Sequence, residues 1–222
     1  MILYGATLSP FVRKTLAFAA EKGLTLELQP GGMGRGGDDF ASASPLGKMP
    51  AFRDPGAEAD GSDFTISDST AIIQYLETKF PQPEMIPATP AERARTIWFE
   101  EFGDTVVARI SGATFFNRVV APRFMKRAGN EAAATAAIAT ELPPMMDYLE
   151  RIAPEPDGFL VAGRITLADL AVASPFFNLQ ESGVPLDTGR WPRALAWVES
   201  VLARPSLAPI VANDRAFLAR TA

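Results

Sequence analysis

The chain has 222 residues, 47% of them hydrophobic and 21% charged, which is enough apolar material for one large domain or two small ones. Its formal net charge of -5 offers no attraction to nucleic acid or to an anionic membrane surface. With no cysteine and no histidine, the chain has no disulfides, thiolate metal sites or imidazole bases, and it cannot carry out Ser-His-Asp or Cys-His hydrolysis.

Ile2 to Tyr4 reads as a short buried strand. Pro10 to Lys22 reads as a helix, with Ser9 as its N-cap, Pro10 at the first helical position, Val12, Leu16 and Ala19 on one face, and Gly23 as its stop. Leu24, Leu26 and Leu28 alternate as a second strand, and the β-α-β unit is expected to be parallel and right-handed. The glycine-rich run from Gly31 to Gly37 lacks the spacing and the Gly-Lys-Ser/Thr ending of a phosphate loop and reads as a flexible loop. Asp38 to Ser44 is a short helix, and Pro50 to Arg53 and Phe64 to Ile66 are the strands of a hairpin. Ser67-Asp68-Ser69 then opens a helix on which Ile72 or Ile73, Leu76 and Phe80 share a face.

Pro81, Pro83, Pro87 and Pro90 mark residues 81–90 as a linker between a domain at 1–80 and one at 91–222. All that follows is helical. Trp98, Phe102, Val106 and Ile110 recur every four residues along a helix from about Ala91, and Phe115, Phe116 and Val119 either extend it or begin a second segment before Pro122. Glu131 to Ile152 is a helix kinked or restarted at Pro143-Pro144. Thr166 and Asp169 form a structural capping box ahead of an apolar helix at Leu170 to Phe177, and Trp191 to Leu202 and Ser206 to Val211 complete the set. No apolar run approaches the roughly 20 residues of a membrane span. No basic leader with a cleavage site opens the sequence, so a soluble cytoplasmic protein is expected.

Three segments converge at one end of the sheet if this element order holds: Ser9 after the first strand, Lys48-Met49-Pro50 before the third, and Asp68-Ser69 before the third helix. Pro50 is a candidate cis proline that would leave the Met49 N–H and C=O free to pair with an extended peptide. Ser69 and its helix start suit a carboxylate, Asp68 an ammonium, and Lys48 a second carboxylate. The ligand so described is a short peptide with an α-amino acid at one end, another acid at the other, and a thiol between them that could reach Ser9.

The chain resembles the cytosolic glutathione S-transferases over essentially its whole length. The resemblance lies in Ser9-Pro10-Phe11-Val12-Arg13-Lys14, Ser44-Pro45-Leu46-Gly47-Lys48-Met49-Pro50-Ala51-Phe52, Ser67-Asp68-Ser69-Thr70-Ala71-Ile72 and Gly163-Arg164-Ile165-Thr166-Leu167-Ala168-Asp169, in that order around the linker. It implies an α/β thioredoxin-like N-terminal domain that binds glutathione and an all-α C-terminal domain that binds a hydrophobic substrate. Within the family the serine-type classes, tau- or theta-like, match best, because Ser9 stands where cysteine-type members carry Cys-Pro.

The resemblance further implies that Ser9 hydrogen-bonds the glutathione sulfur, Met49 pairs with the cysteinyl backbone, Lys48 meets the glycyl carboxylate, and Asp68 and Ser69 hold the γ-glutamyl end, with Phe11 and Pro50 beside them. Phe11, Phe102, Val106, Arg109, Phe115 and Phe116 are candidates for the wall of the electrophile pocket, and Tyr4 is a fallback donor. The expected protein is a homodimer that takes glutathione as co-substrate and needs no metal or other cofactor. A non-enzymatic ligand carrier or interaction module of the same fold is the alternative.

Overall fold

The computed structural model describes residues 1–32 and 34–221. They divide into two compact units, Met1–Met85 and Ile86–Ala222, with the boundary inside the proline-rich segment.

The first unit is a four-stranded sheet with helices. Its elements are β1 (Ile2–Tyr4), α1 (Pro10–Glu21), β2 (Glu27–Gln29), α2 (Gly37–Ala43), β3 (Ala51–Asp54), β4 (Phe64–Ser67) and α3 (Ser69–Lys79). The strand order is β2-β1-β3-β4. The β1–β2 pair is parallel, as the intervening helix requires, and the other two pairs are antiparallel. α1 and α3 pack against each other, burying Val12, Phe18, Ile72, Ile73 and Leu76. α2 packs on β3 and β4 and gathers Tyr4, Phe40, Ala43 and Ala51 into a small cluster.

The second strand is shorter than its leucine alternation predicts. Only Leu26 is buried, Leu28 is 40% exposed, and the ladder begins at Glu27.

The first part of the proline-rich segment is fastened to this unit. Lys22, its side chain fully buried, donates to Glu77 Oε2 at 2.6 Å and to the Pro83 carbonyl at 2.7 Å. The Met85 N–H donates to the other Glu77 oxygen at 3.0 Å.

The second unit is helical. α4 (Pro90–Glu101) runs into a π-helical stretch (Phe102–Val107), α5 (Ala108–Phe115) and a second π-helical stretch (Phe116–Phe124). Of the two alternatives at Phe115, the helix therefore continues. It also passes Pro122, which lies inside the wider turns of the second π-helical stretch.

Then come α6 (Glu131–Thr140), α7 (Leu142–Ile152), α8 (Leu167–Glu181), α9 (Pro192–Leu202) and α10 (Ala208–Arg220). The break at Pro143-Pro144 is a restart, with α7 opening one residue earlier. α8 is buried along Leu167 to Leu179, carries Pro175 without ending, and packs on α4, the first π-helical stretch, α5 and α9. Thr166 and Asp169 form its capping box.

α10 runs nine residues past Val211. Its polar stretch is held through Arg215, which donates to Glu181 at 3.0 Å and Gln180 at 2.9 Å. Among the described residues no helix is long and apolar enough to cross a membrane.

Candidate active site

The chain leaves the C-terminal end of β1 through Gly5 and enters α1 at Ser9. Ser9 holds the N-cap position in extended conformation (φ -76°, ψ 125°), and its side chain makes no capping hydrogen bond. The sequence reads it as a cap, yet no α1 N–H reaches its hydroxyl, and the helix opens on Pro10, whose preset φ suits the first helical position. The Ser9 backbone is nonetheless bonded on both sides: its N–H donates to Ala6 O at 2.9 Å and its carbonyl accepts from Arg13 N at 3.0 Å.

The strand register brings the other two segments to the same end of the sheet. Tyr4 pairs with Ala51, and Ala51 pairs with Ser67. Lys48-Met49-Pro50 therefore enters beside the exit of β1, and Asp68-Ser69 leaves β4 next to it. The Asp68 N–H donates to the Pro50 carbonyl at 3.2 Å, joining two of the three segments directly.

The Met49–Pro50 peptide bond is cis. Its approach is built by Ser44, whose buried hydroxyl donates to the Lys48 carbonyl at 2.7 Å across a turn closed by Gly47 at φ 66°. The Lys48 side chain is exposed and Met49 is half-buried.

Asp68 is exposed and sits at φ 93°, an unusual conformation for a residue with a Cβ and one found most often at functional sites. Its Oδ1 accepts from Thr70 N at 2.9 Å and Ala71 N at 3.2 Å, so it caps α3 and adds negative charge at that helix start. Ser69, the first residue of α3, is 4% exposed.

Two contributors went unread in the sequence. The glycine-rich loop is not a free tether: Gly31 lies against Tyr4, Gly5 and Phe40, and Gly32 lies against Met49. A Cβ on Gly32 would stand 2.5 Å from Met49 Cε, and its φ of 82° suits glycine. Arg13, fully buried, donates from Nη1 to the Thr7 carbonyl at 2.8 Å in the loop that carries Ser9.

Tyr4 is 1% exposed, with its ring 6.4 Å from that of Phe40 in the cluster beneath α2. Burial pushes its phenol up from the ordinary value, against the opposing pull of Arg53, so the group stays protonated near neutrality.

The residues offered for the electrophile occupy different surroundings. In the first unit Phe11 is half-buried on the opening turn of α1. In the second, Phe102 is buried and stacks on Trp98 with centroids 5.7 Å apart, Phe115 is 4% exposed, and Val106 is half-buried. Arg109 is exposed and ion-paired with Glu141, and Phe116 is 40% exposed beneath the Arg127 guanidinium. Phe102 and Phe115 are thus largely core side chains of the helical unit.

A β-α-β-α-β-β-α unit with a serine at its first helix start and a cis proline at a strand entry, followed by an all-helical unit, defines a thioredoxin-like domain joined to a helical one. The family model "Glutathione S-transferase, N-terminal domain" matches residues 3–84, and "Glutathione S-transferase, C-terminal domain" matches residues 115–214. The chain belongs to the glutathione S-transferase family. It is 28% identical over 203 residues to glutathione S-transferase theta-1 of Rattus norvegicus, covering 90% of this chain and 81% of that one. The apo form of human glutathione S-transferase T1-1 superposes with a TM-score of 0.79 at 26% identity, over 99% of this chain and 90% of that one. A glutathione S-transferase of Methylobacterium radiotolerans in complex with glutathione sulfonate gives a TM-score of 0.72 at 26% identity, over 95% and 93% of the two chains.

Proposed function

We propose that the protein binds glutathione at the sheet end formed by Ser9, Met49-Pro50 and Asp68-Ser69, activates its thiol through Ser9 with loss of the thiol proton to solvent, and conjugates the thiolate to a small hydrophobic electrophile. The observation that carries this reading is the place of Ser9, whose hydroxyl, an O–H donor, stands at the α1 start on the sheet end that the cis Met49–Pro50 bond and the Asp68-Ser69 helix start share. The relative bound to glutathione sulfonate supports the choice of ligand.

The Met49 peptide pairs with the cysteinyl backbone, Lys48 meets the glycyl carboxylate, and Asp68 and Ser69 hold the γ-glutamyl end at the α3 start. A free thiol has a pKa of about 8.5, leaving only a few per cent ionised at neutrality. A charge-assisted hydrogen bond from Ser9 contributes about 1.5–3 kcal/mol to the thiolate. The α1 N-terminus adds about 0.3–1 kcal/mol. Together they lower the thiol pKa by roughly one to two units, enough to make much of the bound sulfur nucleophilic. The thiolate attacks the electrophilic carbon, the C–S bond forms, and the leaving group departs with the electron pair of the bond it breaks. No resident cofactor takes part, and the working form is a cytoplasmic homodimer.

The test is turnover of glutathione with an activated aryl halide by wild type, Ser9→Ala and Tyr4→Phe. Ser9→Ala is expected to lower kcat/KM about 100-fold, as loss of a single preorganised donor does elsewhere, while Tyr4→Phe remains close to wild type. Wild-type turnover in Ser9→Ala, or a loss confined to Tyr4→Phe, would reject the assignment. Glutathione bound with an unperturbed thiol and no turnover would favour the carrier alternative.

A further inference from the structure

We infer that Arg13 is a positioning residue for Ser9, an inference that rests on the reading of Ser9 as the donor to sulfur. The Arg13 guanidinium holds the β1–α1 loop, donating to the Thr7 carbonyl at 2.8 Å. Its backbone N–H makes the ordinary first helical bond to the Ser9 carbonyl at 3.0 Å. The side chain thus fixes the loop two residues before the hydroxyl, while the helix itself fixes Ser9.

Arg13 does this from full burial. A guanidinium removed from water is retained only where hydrogen bonds replace its hydration, and an apolar side chain of similar length would fill the space at no such penalty. The planar guanidinium is suited to this work, because its fork fixes the direction in which it meets the Thr7 carbonyl. The loop needs such a fixture. Ser9 takes no capping bond through its side chain, so its Oγ is located by the backbone beneath it. A hydroxyl-to-sulfur bond weakens steeply with angle and distance, and a shift of about 1 Å in a reacting group can cost up to ~100-fold in rate.

A double-mutant cycle tests this, using wild type, Ser9→Ala, Arg13→Met and the double variant, with the thiol pKa of bound glutathione read from thiolate absorbance against pH. Arg13→Met is expected to raise that pKa by about one unit while KM for glutathione stays within about twofold. The double variant is expected to match Ser9→Ala. An unchanged pKa in Arg13→Met overturns the inference. So does an Arg13→Met increment that persists in full without Ser9, since that would mean the charge acts on sulfur through space.

If Arg13→Met does not fold, Arg13→Lys replaces it in the cycle, keeping a cation but not the planar fork. A rise of about half a unit that vanishes in the Ser9→Ala background is then expected, and a wild-type pKa overturns the inference. Failure of the Ser9 reading is recognised separately, as a wild-type thiol pKa in the Ser9→Ala single variant.

Discussion

Ser9 and Asp169 both stand at helix starts, and they show how differently the same local signal can be used. At Ser9 the start is closed by Pro10 and the hydroxyl is left over. At Asp169 the carboxylate is consumed by structure: it accepts from Leu160 N at 2.8 Å and Thr166 N at 2.9 Å inside the helical unit. Burial pushes its pKa up to about 6 from 3.8, although these bonds act in the opposite direction. A carboxyl raised in the folded state holds its proton more tightly than the unfolded chain does between those two values. Its contribution to stability is therefore fully present below pH 3.8 and declines as pH rises to about 6. Asp169→Asn is expected to lower stability by about 1–3 kcal/mol by breaking the capping box. Urea unfolding at a series of pH values should show the gap from wild type narrowing as pH rises through that window. A gap that widens instead would mean the carboxylate is the favoured buried form.

Both helix starts were legible in the sequence, because Ser-Pro and Thr-Leu-Ala-Asp are local signals. Arg13 was not, because an arginine is taken for a surface residue unless something shows what it is buried against.

Among the elements, close approach of backbone leaves no local mark in the sequence. Gly103 in the first π-helical stretch faces α8 so closely that a Cβ would stand 2.4 Å from the Ala171 carbonyl oxygen. Backbone on both sides cannot yield easily. Gly103→Ala is expected to cost about 1–3 kcal/mol through overpacking, read as a lower urea midpoint with an unchanged m-value. Gly32 differs, because the atom it would strike is the tip of the flexible Met49 side chain. There the left-handed φ costs about 1–2 kcal/mol, and displacement of Met49 should raise KM for glutathione more than it lowers kcat. An unchanged KM in Gly32→Ala would detach the glycine-rich loop from the site.

Composition marks such a run as a flexible loop, and nothing in it names the neighbour that demands glycine. Periodicity likewise placed the long helix from Ala91 but left its course at Phe115 open, since the wider turns that carry Pro122 depend on packing rather than pattern. The apolar repeat of α10 ends at Val211, where Asn213, Asp214 and Arg215 break it, while in the fold the helix runs on because Arg215 is tied to α8.

Across the chain, the order of elements and the proline-rich division were readable because each rests on short-range chemistry. The division itself is more than a spacer. Glu77 receives both Lys22 and the Met85 amide, and Lys22 also holds the Pro83 carbonyl, so residues usually counted as linker are bound into the first unit. Glu77→Ala leaves a buried ammonium without its carboxylate and is expected to destabilise that unit by about 3–5 kcal/mol. Limited proteolysis should then cut near Pro83–Ile86 faster than in wild type; equal rates would show that the clasp is dispensable.

The function proposed for the whole protein depends on what happens to a thiol that the protein does not itself possess. The ultraviolet absorbance of the bound glutathione thiolate, titrated with pH in wild type and in Ser9→Ala, reads that directly. A wild-type midpoint roughly one to two units below the free-thiol value of about 8.5 is expected, returning most of the way toward the free value in Ser9→Ala. A wild-type midpoint at the free value, or a Ser9→Ala midpoint equal to that of wild type, would contradict activation of glutathione by Ser9.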